Sequence, residues 1–413
     1  MAGLFLFIIA IICPFLGLVI AMLDLRFGDG KRWRTDIVCI SIFFANLSYC
    51  YIPENNRVDL FRYLEYFHSL YGLSLVETLM NAYRGSNLYA FNFLIWLGNA
   101  IDDVNIIPAI SVFTVYFICF FVSCKVCQNE GYNYKYAFIY VCFAIISLDW
   151  YSLTNNVRNI MAFAIIGYAI FRDVYQKKRD ALTILSYIIP IFIHQTAVLF
   201  VLVRCTLWFL KSKKLKKAVL AMVFLVNPIV QLLYSNISRV TSSPFILYIV
   251  SKAYNYLFDT SSAYGLRVQN SSRSFVARVL YLSLVAIVCI IIYKGYLEKE
   301  NDNKAEESQF DTYVLITGLV ALSCMFMLRP EYWRFSATVI VFGGAAVIPF
   351  LRKPPKDLFD QTVKLAYPFL AVACGMISWY QVLWTDLSQL LTDALVSIPV
   401  LNAVQDIIHI IQG

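Results

Sequence analysis

Four short stretches of the sequence hold side chains suited to binding phosphate and sugar. The first, NRVDLFRYLEYF at 56–67, spaces Asp59, Arg62, Tyr63 and Tyr66 at i, i+3, i+4 and i+7, which makes one helix face carrying an acid, a base and two rings. Such a face can pack sugar C–H surface on its aromatics and offer charged partners to hydroxyls. An interfacial helix with a tyrosine belt has the same pattern, so the face alone fits both readings. The second stretch, YSLTNNVRNIMAFAIIGYAIF at 151–171, carries Arg158 into an apolar run, where a guanidinium is costly without an anion or a cavity. The third, IFIHQTAV at 191–198, holds His194, the one histidine inside an apolar run. An imidazole that titrates near working pH can deprotonate a hydroxyl, although a lone buried histidine also serves structural ends. The fourth, RPEYWRFS at 329–336, brackets Glu331, Tyr332 and Trp333 between Arg329 and Arg334. These three are candidate sugar contacts, and the two arginines, with Arg158, are candidate pyrophosphate ligands. A guanidinium supplies planar, bidentate donors and the start of a helix adds its own attraction for phosphate. Asp59 rivals His194 as the base.

Membrane helices must position these residues. Of 413 residues, 60% are hydrophobic and 15% charged, and mean hydropathy is +0.67, far too apolar for one soluble core. The apolar runs are continuous, without period-two alternation, which favours helices over a barrel. The expectation is an all-α polytopic membrane protein, a single integral membrane domain over residues 1–413. Segment 3–23 has no basic leader and no small-residue cleavage site, so it reads as a retained helix. Positive-inside bias assigns loops near 24–35, 125–135, 172–180, 211–217, 295–310 and 352–363 to the cytoplasm. Outer loops then cover about 53–106 and 235–274, the first with a re-entrant piece around LYAFNFLIWLG. Segment 181–210 has basic clusters at both ends, so one crossing would strand a cluster outside. A short re-entrant or half-length helix pair around Pro190 and His194 resolves that conflict. About twelve crossings follow, including single spans at 3–23, 158–171 and 335–351.

This topology sorts the basic residues unevenly. The cytoplasmic stretches and their flanks hold 23 of the 34, of which 16 are Lys and 7 Arg. Of the 11 left for the outer side, ten are Arg. Either cation signals topology, whereas phosphate recognition discriminates between them. The outer arginines therefore point to an anionic, pyrophosphate-bearing ligand, with lipid headgroups and local acids such as Asp59 and Glu331 as the plainer partners.

Other chemistries find little support. P-loop, H-E-x-x-H and G-x-S-x-G motifs are absent from the sequence. Cys124 and Cys127 form a lone C-x-x-C without a second ligand pair, and adjacent Asp102 and Asp103 read as a solvated loop, so no metal is expected. The net charge of +8 is dispersed among membrane loops, which speaks against a nucleic-acid partner.

The four stretches, in this order and followed by a final apolar pair, resemble the EpsG branch of the Wzy-type polysaccharide polymerases. Similar enzymes carry Gln after the middle arginine, where this chain has Asn159. The resemblance implies a GT-C-like helical architecture and a bacterial inner (cytoplasmic) membrane location with the active site facing the periplasm. It implies undecaprenyl-pyrophosphate-linked oligosaccharides as substrates, membrane lipid and a chain-length regulator as further partners, and no cofactor. Three other readings stay open at this point. An O-antigen ligase would share the donor and need a site for core sugars. A flippase or other transporter would tend to show internal pseudo-symmetry. An acyltransferase could use His194 but leaves the outer arginines unexplained.

Overall fold

A computed structural model describes residues 2–51, 59–83, 87–209, 272–301, 309–326 and 331–382, with isolated positions between 232 and 254. Every described element is a helix. In chain order these are α1 (Ala2–Ile12), α2 (Pro14–Phe27), α3 (Trp33–Tyr49), α4 (Asp59–Ser69), α5 (Leu75–Met80), α6 (Tyr89–Ala100), α7 (Ile106–Asn129), α8 (Lys135–Ser147), α9 (Trp150–Asn155), α10 (Val157–Ile170), α11 (Ala181–Ile193) and α12 (Val198–Phe209). After these come α13 (Ser272–Asn301), α14 (Gln309–Ser323), α15 (Glu331–Phe342), α16 (Gly344–Arg352) and α17 (Leu358–Val382). Most of the expected outer loop 235–274 and the cytoplasmic loop 211–217 lie outside the described residues, as do Arg57, Arg84, Arg329 and the C-terminal segment.

Contacts divide the chain into two compact units, one of Met1–Val201 with Gly375–Gly413 and one of Leu202–Cys374. In the first unit α7 is central, packing on α3, α8 and α10, with α2 and α1 beyond α3 and α11 beyond α10. Phe44 stacks on Tyr116 with centroids 4.3 Å apart, and the Ser111 hydroxyl donates to the Val157 carbonyl across the α7–α10 seam at 2.9 Å. Ala162, Ala164, Gly167 and Ala169 are buried along α10, letting its neighbours approach closely. The second unit packs α13 against α14, α15 and α16.

Among the described residues, three helices, Ile106–Asn129, Ser274–Leu297 and Leu358–Tyr380, are long and apolar enough to cross a bilayer. A fourth candidate is the pair Tyr332–Phe342 and Gly344–Arg352, bent by 52°, so the expected single span at 335–351 is broken where adjacent glycines weaken the helix. The expected span at 3–23 is also two helices. Pro14 lacks the amide a continuous helix needs, and Cys13 turns out of helical geometry at φ −131°, ψ 84°. At 158–171 the α-helix ends at Ile170 and passes into a π-turn over Phe171–Tyr175. Outward-facing rows such as Leu4, Phe5 and Ile8 on α1, Leu182, Leu185 and Ile189 on α11, and Leu365 and Phe369 on α17 are exposed. Contiguous apolar surface of this kind matches lipid rather than water.

The pair at 181–210 forms as two half-length helices. α11 is 13 residues long and α12 is 12, each ~20 Å or less at 1.5 Å per residue and shorter than a ~30 Å hydrocarbon core. The break falls at His194, which is extended at φ −154°, ψ 115° and accepts the Ala197 amide on its carbonyl at 2.9 Å.

Candidate functional site

The expected loop at 53–106 is largely helical, and its three helices build a cage for one arginine. Buried Asn92, in the first turn of α6, is its tie point. Its amide nitrogen donates to the carbonyls of Asn81 at 2.7 Å and Thr78 at 3.0 Å, and its oxygen accepts the Tyr66 hydroxyl at 3.2 Å. One side chain thus joins the end of α5, the start of α6 and α4. Tyr83, between α5 and α6, packs edge-on against Tyr66 with centroids 4.6 Å apart and tilts against Tyr63 at 5.9 Å. Phe91 closes the set, 5.3 Å from Tyr63.

Arg158 enters this cage from α10. The chain leaves helical geometry at Asn156 (φ −107°, ψ 45°) between α9 and α10, which puts Arg158 in the first turn of a new helix. A cation there opposes the helix dipole, so its surroundings must hold it. The guanidinium carbon lies 4.5 Å from the Tyr83 centroid, 5.0 Å from Tyr63 and 5.2 Å from Phe91, and Nε donates to the Tyr63 hydroxyl at 3.0 Å. Cation–π contacts stabilise by about 0.5–2 kcal/mol each, depending on desolvation. Among the described residues no carboxylate pairs with Arg158, and it remains half-buried. Burial pushes the Tyr63 phenol above its usual range by more than the Arg158 charge lowers it, so Tyr63 stays neutral. On either side of Arg158, the buried amide oxygens of Asn155 and Asn159 have no hydrogen-bond partner among the described residues. Both are buried acceptors, closed off from the surface.

The helical face expected at 59–66 is present. Asp59 and Arg62 form an ion pair one turn apart, and Tyr63 and Tyr66 both meet Tyr83. Tyr63, however, is buried beneath Arg158, which leaves Tyr66 the more accessible ring. His194 belongs to the same unit but a different side of α10. Its ring lies 6.2 Å from Phe163, five residues beyond Arg158, hence ~7.5 Å further along the axis and about 140° around it. Tyr89 of α6 packs on Phe192 of α11 at 5.6 Å, so one helix supports both the cage and the histidine segment.

In the second unit, Glu331 opens α15, and Tyr332 and Trp333 are buried in its first turn. The Arg278 guanidinium sits 5.3 Å from the Tyr332 centroid and donates to the Met325 carbonyl at 3.2 Å. The indole nitrogen of Trp333 is buried without a partner among the described residues. Arg334 is half-buried, and its carbonyl accepts the Thr338 hydroxyl at 2.9 Å.

Sequence reasoning missed Tyr83, Phe91 and Asn92, and counted Arg278 only among the ten outer arginines. The aromatic density of 83–96 was a signal for the first two; nothing in the local pattern foretells that Asn92 would join three helices.

A family model described as the EpsG family matches residues 37–390. The chain belongs to the EpsG family. The match covers most of the chain, from α3 past α17, and places the protein among membrane proteins of polysaccharide biosynthesis. No curated protein and no solved structure matches the chain.

Proposed function

We propose that this EpsG-family protein is a polysaccharide polymerase that transfers a growing glycan from undecaprenyl pyrophosphate to a sugar hydroxyl of a new lipid-linked repeat unit. The observation that carries the reading is the Arg158 cage: a guanidinium fixed by three rings and a phenol, without a carboxylate partner, is prepared for an anion that arrives with the substrate. Family membership supports polysaccharide as the product class.

In the reaction, the acceptor hydroxyl oxygen bonds to the donor's anomeric carbon while the bond from that carbon to the pyrophosphate oxygen breaks. The leaving pyrophosphate takes the electron pair, and the hydroxyl proton passes to a base. The donor carries its own activation, so no cofactor is required, and catalysis consists of alignment, charge neutralisation and one deprotonation. Arg158 and the α10 N-terminus would hold the pyrophosphate. His194 would be the base or would orient the acceptor; Asp59 is the rival base, already neutralised by Arg62. Tyr66 and Arg62 would contact sugar, with Tyr63 steadying the arginine. Phosphate-binding roles for Arg329 and Arg334, and sugar-binding roles for Glu331, Tyr332 and Trp333, rest on the sequence. The same reading has about twelve crossings in a GT-C-like arrangement in the bacterial inner membrane, with the site facing the periplasm.

The test compares surface glycan ladders from cells that depend on this protein, for the wild type, Arg158→Ala, His194→Ala and Arg334→Ala at matched protein levels. Collapse to a single repeat unit on its final acceptor supports polymerisation. Loss of all surface glycan with lipid-linked units trapped inside would overturn it in favour of a transporter, and lipid-linked polymer that never reaches its acceptor would point to a ligase.

A further inference from the structure

A groove that shares no residue with the Arg158 cage has the form of a lipid site. α2 runs beside α8 with α3 as the floor, leaving a cavity of about 490 Å³ lined by Leu18, Val19, Leu23, Phe44, Phe138 and Ile145 along its length and by Arg26 at one end. That volume falls within the ~300–1,000 Å³ of ordinary ligand sites. Its direction follows from the packing. Gly30 (φ +72°), in the α2–α3 turn, would bring a Cβ to 2.3 Å from the Tyr134 ring just before α8, so the start of α8 lies by the end of α2 that carries Arg26. Phe138 therefore lines the groove near Arg26, and Ile145 lines it near Leu18. Leu18 and Arg26 are eight residues apart, ~12 Å along the helix.

Charge singles out Arg26. Nearby Arg32 pairs with Asp24 at 2.9 Å and Lys31 with Asp29 at 2.8 Å, and among the described residues Arg26 is the one cation that lines the groove. Arg26 lies over the Phe27 ring at 4.9 Å and has no carboxylate partner among the described residues. A slot that is apolar along its length and ends in one unneutralised guanidinium matches an amphiphile with an apolar tail and an anionic head. A single guanidinium fits a phosphodiester; a pyrophosphate would call for a second cation, and no other cation lines the groove.

We propose that the α2–α3–α8 groove binds one anionic bilayer phospholipid, its acyl chain between Leu18 and Leu23 and its phosphate on Arg26. Residues 24–35 are the stretch expected at the cytoplasmic surface, the leaflet side where basic residues meet anionic headgroups. The site is separate from the one assigned to the transferred substrate.

Native mass spectrometry of the full-length protein, delipidated in detergent and titrated with phosphatidylglycerol, phosphatidylcholine or undecaprenyl phosphate, tests this. Wild type should retain one phosphatidylglycerol in preference to phosphatidylcholine. Arg26→Gln should weaken that binding about fivefold, the effect of one interfacial cation, and Leu23→Trp should block the slot. Arg352→Gln removes an equal charge elsewhere and should leave binding unchanged. Equal phosphatidylglycerol binding by wild type and Arg26→Gln overturns the proposal, and Arg26→Gln alone decides it should Leu23→Trp fail to fold. Displacement of phosphatidylglycerol by undecaprenyl phosphate in an Arg26-dependent manner overturns it differently, by making the groove a prenyl-lipid site.

Discussion

The Nε of Arg158 donates to the phenol oxygen of Tyr63 at 3.0 Å, across 95 residues of sequence. This contact ties α10 to α4 and fixes the guanidinium plane against three rings. Its worth can be isolated, because Tyr63→Phe keeps the ring and removes only the hydroxyl. A hydrogen bond to a charged group contributes about 1.5–3 kcal/mol, so turnover on lipid-linked repeat units should fall roughly ten- to a hundredfold if Arg158 acts on the transition state. Tyr63→Leu, which also removes a cation–π face, should fall further. Glycan ladders of wild-type length from Tyr63→Phe would separate the cage from the reaction.

Arg158→Lys keeps the charge and loses the fork. An ammonium cannot donate to Tyr63 through Nε and present two parallel donors to a phosphate at once. Polymer formation should therefore fall at least tenfold and resemble Arg158→Ala more than wild type. Near-normal activity of the lysine variant, measured by incorporation of lipid-linked repeat units, would mean that only a point charge is needed.

How much of this was legible in the sequence depends on range. The helix face of Asp59, Arg62, Tyr63 and Tyr66 follows from i, i+3, i+4, i+7 spacing, and the Asp59–Arg62 ion pair is as that spacing requires. The break at His194 was readable too, because basic clusters at both ends of 181–210 forbid one straight crossing. Tyr83 and Phe91 were not, since they reach Arg158 through a fold of the loop that no local period encodes. The double helix at 2–27 was missed for a different reason: hydropathy sums over Pro14 without registering the lost amide. Asp59 and His194 share a unit, yet His194 meets α10 on a side that spacing alone could not reveal.

The bend at Pro14 makes a packing prediction. It folds α1 back until a Cβ on Gly17 would lie 2.6 Å from both Cα and Cβ of Ala10, and backbone cannot yield as a flexible side chain can. Gly17→Ala should destabilise by about 1–3 kcal/mol through overpacking. A lower melting temperature of the detergent-solubilised variant is the expected result. An unchanged one would mean that α1 swings away at little cost.

At the opposite end of α10, the Arg172–Asp180 pair gives a pH dependence with a definite sign. Arg172 Nη2 reaches Asp180 Oδ2 at 2.5 Å, and Asp180 also caps α11 by accepting the Thr183 amide at 3.0 Å. The hydrogen bond from Arg172 is the main cause that holds the Asp180 carboxyl down at about 2, from an ordinary 3.8. A depressed acid contributes stability that is fully present above its unfolded value and lost as pH falls through the folded one. The loss should thus run from near pH 4 down to about pH 2. Asp180 is 53% exposed, so screening keeps the effect small and salt should reduce it further. Asn caps a helix nearly as well as Asp, so Asp180→Asn removes the charge and spares most of the cap. Between pH 5 and pH 2.5 the wild-type melting temperature should fall more steeply than that of Asp180→Asn, and parallel slopes would remove the pair from the acid response.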